Sequence, residues 1–347
     1  MDRNYRFIDL FCGIGGFHYA MKNASKITKD NVECVFSSEI DQFCQISYET
    51  NFGVKPSGDI TEIDAKDIPD HDILLAGFPC QPFSIIGDMK GFDDTRGTLF
   101  FDIARILKEK SPEAFVLENV KLLVGHNKGK TIKKIISTLN ELNYNVSFKI
   151  FNAIDFGLPQ KRERVFIVGF KNNTNFEWPK NNIKMKSLDD ILEKNVDSKY
   201  YASNEIINKR LAMKDKPKET TIWHENIAGN IGIYPFSCAL RAGASYNYLL
   251  VNGERRLTER EMLRLQGFPE NFKIVCNYTQ TRKQAGNSLP VPVASAIITK
   301  LLSSLNNENI YTNRIIDNQI YFFEKENVSY GTTKTKKRRK IRTALPT

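Results

Sequence analysis

Apolar residues follow two rhythms along the first half of the chain. Short runs of strand character recur at Arg6-Phe7-Ile8-Asp9-Leu10-Phe11, Val32-Glu33-Cys34-Val35-Phe36-Ser37, Asp72-Ile73-Leu74-Leu75-Ala76 and Ala114-Phe115-Val116-Leu117, and again from Arg164 to Phe170. Between them apolar residues recur at helical spacing, as Leu99, Ile103, Ile106 and Leu107, then as Ile132, Ile135, Ile136, Leu139 and Leu142. Strands alternating with helices predict an α/β fold built on a doubly wound, mostly parallel sheet. After Phe170 the texture changes: residues 172–197 are rich in Asn, Lys and Asp, and residues 198–280 are mixed, with Gly229, Gly232, Gly243 and Gly253 marking turns. This predicts a first domain over 1–180, a smaller, mainly β and loop domain over 181–280, and a segment 281–305 whose helix, from Pro290 to Leu305, returns to the first domain. Residues 306–347 form an extension, with Asp317-Asn318 placed to turn a hairpin between Ile310 and Phe323.

Composition narrows the class. The 347 residues are 41% hydrophobic and 26% charged, as in a globular protein with room for two cores. No uninterrupted apolar run is long enough to span a bilayer, and the start of the chain enters a strand with no signal-peptide pattern, so a cytoplasmic protein without a membrane partner is expected. The six cysteines and four histidines are scattered, which argues against a disulfide framework or a metal site. Of the net charge of +10, seven come from the basic stretch between Lys334 and Arg342, leaving +3 for the rest. The tail can add sequence-independent affinity for phosphates or act only as a solubilising end, and any DNA-binding face in the body must be local.

The most specific local signal is Gly77-Phe78-Pro79-Cys80-Gln81-Pro82-Phe83-Ser84. It places a thiol at the carboxyl end of a buried strand, where ligands bind in open α/β sheets. A thiolate there can attack an electron-poor ring carbon, although a cysteine on its own is more often a small buried hydrophobe. A glycine turn follows the first strand, with Gly13, Gly15 and Gly16 leaving space for a ligand, in a spacing that is not the dinucleotide G-x-G-x-x-G. Glu39 follows the second strand, where a carboxylate can accept from ribose hydroxyls. Asp59 precedes the Cys80 strand, Glu118 ends the fourth strand, and Gln160-Lys161-Arg162-Glu163-Arg164 opens a later one. Each carboxylate or arginine alone is more often a solvated surface residue; their order along the chain is what carries information.

With Gln284-Ala285-Gly286-Asn287-Ser288 closing the series, the chain resembles the cytosine carbon-5 DNA methyltransferases of restriction-modification systems, from about Arg6 to Leu302. The resemblance implies the class I methyltransferase fold and S-adenosylmethionine as methyl donor. It implies a cofactor site of Phe11, Gly13, Ile14, Gly15, Gly16, Glu39, Ile40, Asp59, Ile60, Gly77, Phe78, Asn287 and Ser288. Cys80 would attack carbon 6 of a flipped-out cytosine, Glu118 would hold its ring edge, and Arg162 and Arg164 would complete the catalytic set. The segment from Ser84 to Leu99 would be a closing loop, with Gln81, Ser84, Lys90 and Arg96 on DNA. His224, Asn226, Asn230, Arg241, Ser245, Tyr246 and Asn247 are candidate readers of base edges, and a monomer on double-stranded DNA with a cognate endonuclease in the same system is implied.

Two positions depart from the family pattern. Ile40 stands where an aromatic often follows the Glu, and Cys238-Ala239-Leu240-Arg241 stands where the recognition region usually carries Thr before an aliphatic residue. The alternatives are a transfer-RNA cytosine methyltransferase, which usually carries a mid-chain Cys-Phe-Thr absent here, and an inactive DNA-binding relative, which would lack Cys80, Glu118 or Arg164.

Overall fold

In a computed structural model, the described residues are 3–79, 99–172, 174–180 and 182–306, with the strands at 314–316 and 319–321. The core is a six-stranded sheet in the order β2-β1-β3-β4-β7-β5. Strands β1 (Asn4–Leu10), β2 (Asn31–Ser38), β3 (Ile73–Gly77) and β4 (Ala114–Val120) are mutually parallel. Strand β7 (Glu163–Phe170) runs antiparallel to β4 on one side and to β5 (Asn145–Asn152) on the other. The sheet is therefore parallel except for one strand. β5 is absent from the pattern of apolar runs because it is an edge strand, half-exposed, with Asn145, Ser147 and Lys149 interrupting its apolar residues.

Strand alternation sorts side chains to the two faces. Tyr5, Phe7, Ile73, Leu75, Ala114 and Val116 share one apolar cluster with α1 (Gly16–Thr28) and α9 (Val291–Leu305). Their neighbours Ile8, Leu10, Leu74, Ala76, Phe115 and Leu117 share the other with α3 (Leu99–Lys110) and α5 (Lys130–Glu141). Helix α2 (Gln42–Phe52) follows β2, capped by Asp41, whose carboxylate accepts from the Phe43 and Cys44 amides. The short α4 (Leu122–Gly125) follows β4.

The chain then leaves the large sheet. A two-residue strand β6 (Gln160–Lys161) pairs with β10 (Ser237–Cys238), and β8 (Ile222–Glu225) lies between β9 (Ile231–Tyr234) and β11 (Leu249–Val251). With α6 (Asn204–Met213) these elements fit the mainly β and loop character expected of the region. Gly232, expected at a turn, instead lies inside β9 under the Tyr234 ring. A third apolar cluster joins Ile222, Leu240, Leu249 and Val251 to Met262 and Leu265 of α7 (Glu259–Gln266) and Ala285 of α8 (Tyr278–Asn287). Leu263, on the other side of α7, belongs to the first cluster.

Helices α8 and α9 are together long and apolar enough to cross a membrane by length and composition, yet they are largely buried within the protein. Ser288 and Pro290 are in extended conformation between the two helices. α9 packs beside α1, and Asn306 after it bonds to the Tyr5 hydroxyl and the Asp30 carboxylate. Beyond it the expected hairpin is present as β12 (Arg314–Ile316) paired with β13 (Gln319–Tyr321).

One buried ion pair fixes the start of α7. Glu261 is fully buried and receives both terminal nitrogens of Arg255 at 2.8 Å and the amides of Thr258 and Glu193 at 2.8 Å. Truncation would leave the buried Arg255 charge unpaired. Glu261→Ala is expected to cost roughly 3 kcal/mol, read as a lower urea midpoint for the transition of this region.

Candidate active site at the carboxyl edge of the sheet

The site is built where β1, β2, β3 and β4 end. After Leu10 the chain turns through Phe11 and Gly13, both at φ 54°, and Gly15 at φ 85°. The turn is closed by the Gly15 amide donating to the Cys12 carbonyl at 2.8 Å, and it is tied to β2 by the Cys12 amide on the Ser38 carbonyl at 3.0 Å. A Cβ on Gly13 would meet nothing within 4 Å, so the turn faces open cleft.

Glu39 stands just beyond β2. Its carboxylate accepts the Gly13 amide at 2.9 Å and the Asp41 amide at 2.8 Å. Burial raises its pKa, and these backbone bonds pull against the rise. Beside it Ile40 is 70% exposed although apolar. Across the cleft Asp59 uses one carboxylate oxygen to accept from the Thr61 amide and hydroxyl, at 2.9 and 2.8 Å. The rim is closed by Lys283 of α8, paired with Asp41 at 2.7 Å.

The next strand ends bring acid and base together. Gly77 on β3 is in register with Glu118 on β4. Asn119 donates from Nδ2 to the Phe78 carbonyl at 2.9 Å, and so fixes the backbone that leads through Pro79 toward Cys80. Arg164 enters from the antiparallel β7, with Nε 2.8 Å from Glu118 Oε1. The contact is ionic and off the N–H axis, since Oε1 has no aligned hydrogen-bond donor. Burial raises the Glu118 pKa, opposed by the charges of Arg164 and then Arg162. A carboxyl group in this state can both donate and accept a proton at a bound base.

These groups open onto one cleft of about 730 Å³. Phe11, Gly13, Ile14, Gly16, Glu39, Ile40, Asp59 and Ile60 line it. So do Gly77, Phe78, Glu118, Arg164, Asn287 and Ser288, together with Arg241 from the smaller region. Gly15 lies behind the turn against Phe52, where an added Cβ would enter the ring. Arg162 does not line the cleft. It is buried behind it, donating to the carbonyls of Leu240 at 2.9 Å and Gly286 at 2.8 Å, and to that of Ser288. Its place is therefore that of a tie between segments, although the resemblance groups it with Arg164 in the catalytic set.

Cys80, Gln81, Ser84, Lys90 and Arg96 lie outside the described residues, as do the rest of the expected closing loop before Leu99 and the basic tail. His224, Asn226, Ser245 and Tyr246 are absent from the cleft wall and belong to the smaller region. His224 meets the Tyr248 ring edge to face, and burial lowers its pKa, helped by Arg241 and Arg210. The Asn226 side chain accepts the Asn230 amide at 3.0 Å and so shapes a turn. The Asn247 carbonyl accepts from Arg210. Asn119, Asp41 and Lys283 escaped the sequence reading: Asn119 adjoins Glu118 and could have been found by its position, whereas Asp41 and Lys283 meet only through folding.

An open sheet parallel but for β7, with a glycine turn after β1, Glu39 beyond β2, Glu118 at the end of β4 and a cleft at its carboxyl edge, has the class I S-adenosylmethionine-dependent methyltransferase fold. The fold is shared with the solved Dnmt2 methyltransferase of S. pombe, at a TM-score of 0.67 and 23% identity over 87% of this chain and 99% of that one. It is also shared with a putative DNA modification methyltransferase encoded in an E. coli prophage, at a TM-score of 0.65 and 21% identity over the same shares. Residues 5–303 match the C-5 cytosine-specific DNA methylase family. The chain is 55% identical to the type II methyltransferase M.NgoBI of Neisseria gonorrhoeae, over 87% of its length and 93% of that protein. It is 55% identical to M.HaeII of Haemophilus aegyptius, over 88% and 95%, and 42% identical to M.HhaI of Haemophilus parahaemolyticus, over 87% and 95%. The chain belongs to the C-5 cytosine-specific DNA methylases.

That family uses S-adenosylmethionine, and the residues present fit it. The cleft offers an open glycine cradle, two carboxylates with unused acceptor capacity and the exposed apolar surface of Ile40. Its far wall depends on a close backbone approach: a Cβ on Gly286 would lie 2.5 Å from the Ala242 amide nitrogen and 2.9 Å from the Arg241 carbonyl carbon. Backbone cannot yield as a flexible side chain can. Gly286→Ala is expected to cost about 1–3 kcal/mol of stability and to weaken binding of S-adenosylhomocysteine, measured by titration calorimetry.

Proposed function

We propose that this protein transfers a methyl group from S-adenosylmethionine to carbon 5 of a cytosine flipped out of duplex DNA, at one short sequence, as the modifying member of a type II restriction-modification system. The observation that carries the reading is the Glu118–Arg164 pair at 2.8 Å, opening onto the same cleft as the Glu39 and Asp59 carboxylates. One pocket would thereby serve both a purine nucleoside and a polar base edge. The names of the type II relatives support DNA as the acceptor, and we assign the protein to the bacterial cytoplasm on that reading. We assign it a monomeric action, a cognate endonuclease as genetic partner, and the division into residues 1–180, 181–280, 281–305 and 306–347 as catalytic, recognition, return and tail segments.

Glu39 would accept from the ribose hydroxyls, Asp59 from the adenine amine, and Ile40 and Ile60 would cover the adenine faces, with Phe11, Gly13, Ile14 and Ser288 closing around the remainder. The bound cofactor supplies an electrophilic methyl group on a positively charged sulfur. Cys80, two residues past the anchored Phe78 carbonyl, adds as thiolate to carbon 6 of cytosine, moving an electron pair toward carbon 5. Glu118 meets ring nitrogen 3 and the exocyclic amine, and opposes the negative charge that develops there. Arg164 orients Glu118. Once carbon 5 carries the methyl group it gives its proton to a water, the electron pair of that C–H bond re-forms the ring double bond, and the carbon–sulfur bond breaks to release the Cys80 thiolate. A stacked base is out of reach of the thiol, which is why flipping is required.

The test is bisulfite sequencing of unmethylated plasmid after incubation with protein and S-adenosylmethionine. Methylation confined to one short sequence, and absent with Cys80→Ala, is expected. Cofactor binding without any DNA methylation would refute the assignment and direct the search to RNA acceptors.

Glu118→Gln separates chemistry from stability. Turnover should fall at least about 100-fold, as for loss of a proton-transferring group. The folded pKa of Glu118 is raised, so its carboxyl is neutral in both states at low pH and destabilising once ionised in the folded state. Wild-type stability is therefore lost as pH rises from the ordinary carboxylate range through the raised value. The urea midpoint of Glu118→Gln should exceed that of wild type at pH 8, with the difference shrinking toward pH 4.5.

A further inference from the structure

The segment from Arg241 to Tyr248 joins the cleft to the smaller region, and it is poorly held by its own backbone. Its internal backbone–backbone bonds are the Ala244 amide on the Arg241 carbonyl and the Tyr248 amide on the Ser245 carbonyl, both long at 3.4 Å, and its ends are joined by the Arg241 amide on the Tyr248 hydroxyl at 2.9 Å. Arg241, Gly243, Ser245 and Tyr246 are exposed. What fixes the segment is α8. Arg282 donates to the carbonyls of Ala244 and Ser245, the latter at 3.1 Å. Its guanidinium lies 4.8 Å from the Tyr246 ring centre. The Tyr246 ring stacks on Tyr278 at 6.0 Å, and its hydroxyl bonds to Thr279 Oγ1 at 2.8 Å.

Arg282 is only 8% exposed, yet no carboxylate pairs with it among the described residues. Two carbonyls and a ring take that place. A buried charge so arranged is costly unless its full set of partners is kept, so the guanidinium enforces one shape on the segment rather than merely touching it. The same helix, one turn further on, carries Gln284, Gly286 and Asn287 into the cofactor cleft.

We infer that Arg282 is a specificity-determining positioning residue: from outside the recognition loops, it sets the conformation in which residues 241–247 meet the edges of the target bases. This rests on the DNA methyltransferase reading above. The guanidinium acts on Ser245 and Tyr246 through the backbone and the ring, so its loss frees the loop to accept other base pairs.

The experiment first defines the methylated sequence of the wild-type protein by bisulfite sequencing. It then compares kcat/KM on a short duplex carrying that sequence with kcat/KM on duplexes altered by one base pair at each position. Wild type should discriminate by about tenfold or more per altered pair. Arg282→Ala should lose most of that discrimination at a subset of positions and raise KM for the duplex, while KM for S-adenosylmethionine stays within about twofold. Arg282→Lys, which keeps a donor for the carbonyls, should recover part of the discrimination. Equal losses for all duplexes, or discrimination unchanged, would overturn the inference and leave Arg282 a stabilising contact only. If Arg282→Ala does not fold, Thr279→Val, which removes only the Tyr246 hydroxyl's partner, must relax discrimination at some of the same positions, and wild-type behaviour there would equally overturn it. A wild-type protein that methylates no duplex removes the DNA reading itself, and the inference with it.

Discussion

The site depends on one buried side chain, Arg162. Its terminal nitrogens reach carbonyls of Leu240, Gly286 and Ser288, which lie far apart in the chain. Burial, and then Arg164, hold its pKa well below the ordinary arginine value, while Glu118 acts in the opposite direction. Its bonds are made with neutral acceptors in a fixed fork, which specifies geometry as well as attraction. Through them the smaller region, the end of α8 and the start of β7 are drawn to one point behind the cleft. Gly286 permits this approach because it has no side chain to hold the segments apart.

Electrostatics in the cleft run against stability in a patterned way. Glu39 and Glu118 are both buried acids with raised pKa, the first tempered by backbone amides and the second by arginine. The difference in partner matches the difference in task. Backbone amides oppose the rise at Glu39, whereas the charges of Arg164 and Arg162 oppose it at Glu118. Residues placed for chemistry rather than folding are expected to carry such costs.

Much of this was legible in the sequence. The parallel strands β1, β3 and β4 are short, largely buried apolar runs, and Gly13, Glu39, Gly77 and Glu118, expected at or just beyond strand ends, line the cleft because that is where the chain leaves the sheet. β5 was hidden because an edge strand with one wet face carries a weaker pattern. Arg162 was grouped with Arg164 because two arginines two apart look equivalent in sequence. Arg164 points from β7 to Glu118, while Arg162, just before that strand, turns toward the smaller region. The family's motif could not reveal the pairing of Asp41 with Lys283 or of Arg282 with residues 244 and 245, since these contacts span long separations and require the folded chain.

The position of α9 bears on how the protein is made. This helix, the last large element described, covers the face of the sheet that carries Tyr5, Phe7, Leu75 and Val116, and the residues just before it close the cofactor cleft. A nascent chain emerging from the ribosome therefore exposes an apolar sheet face until nearly all of the body has been synthesised. Neither the lasting core nor a working cleft exists before that moment, so a stop before α9 yields a sticky fragment rather than a partly active one.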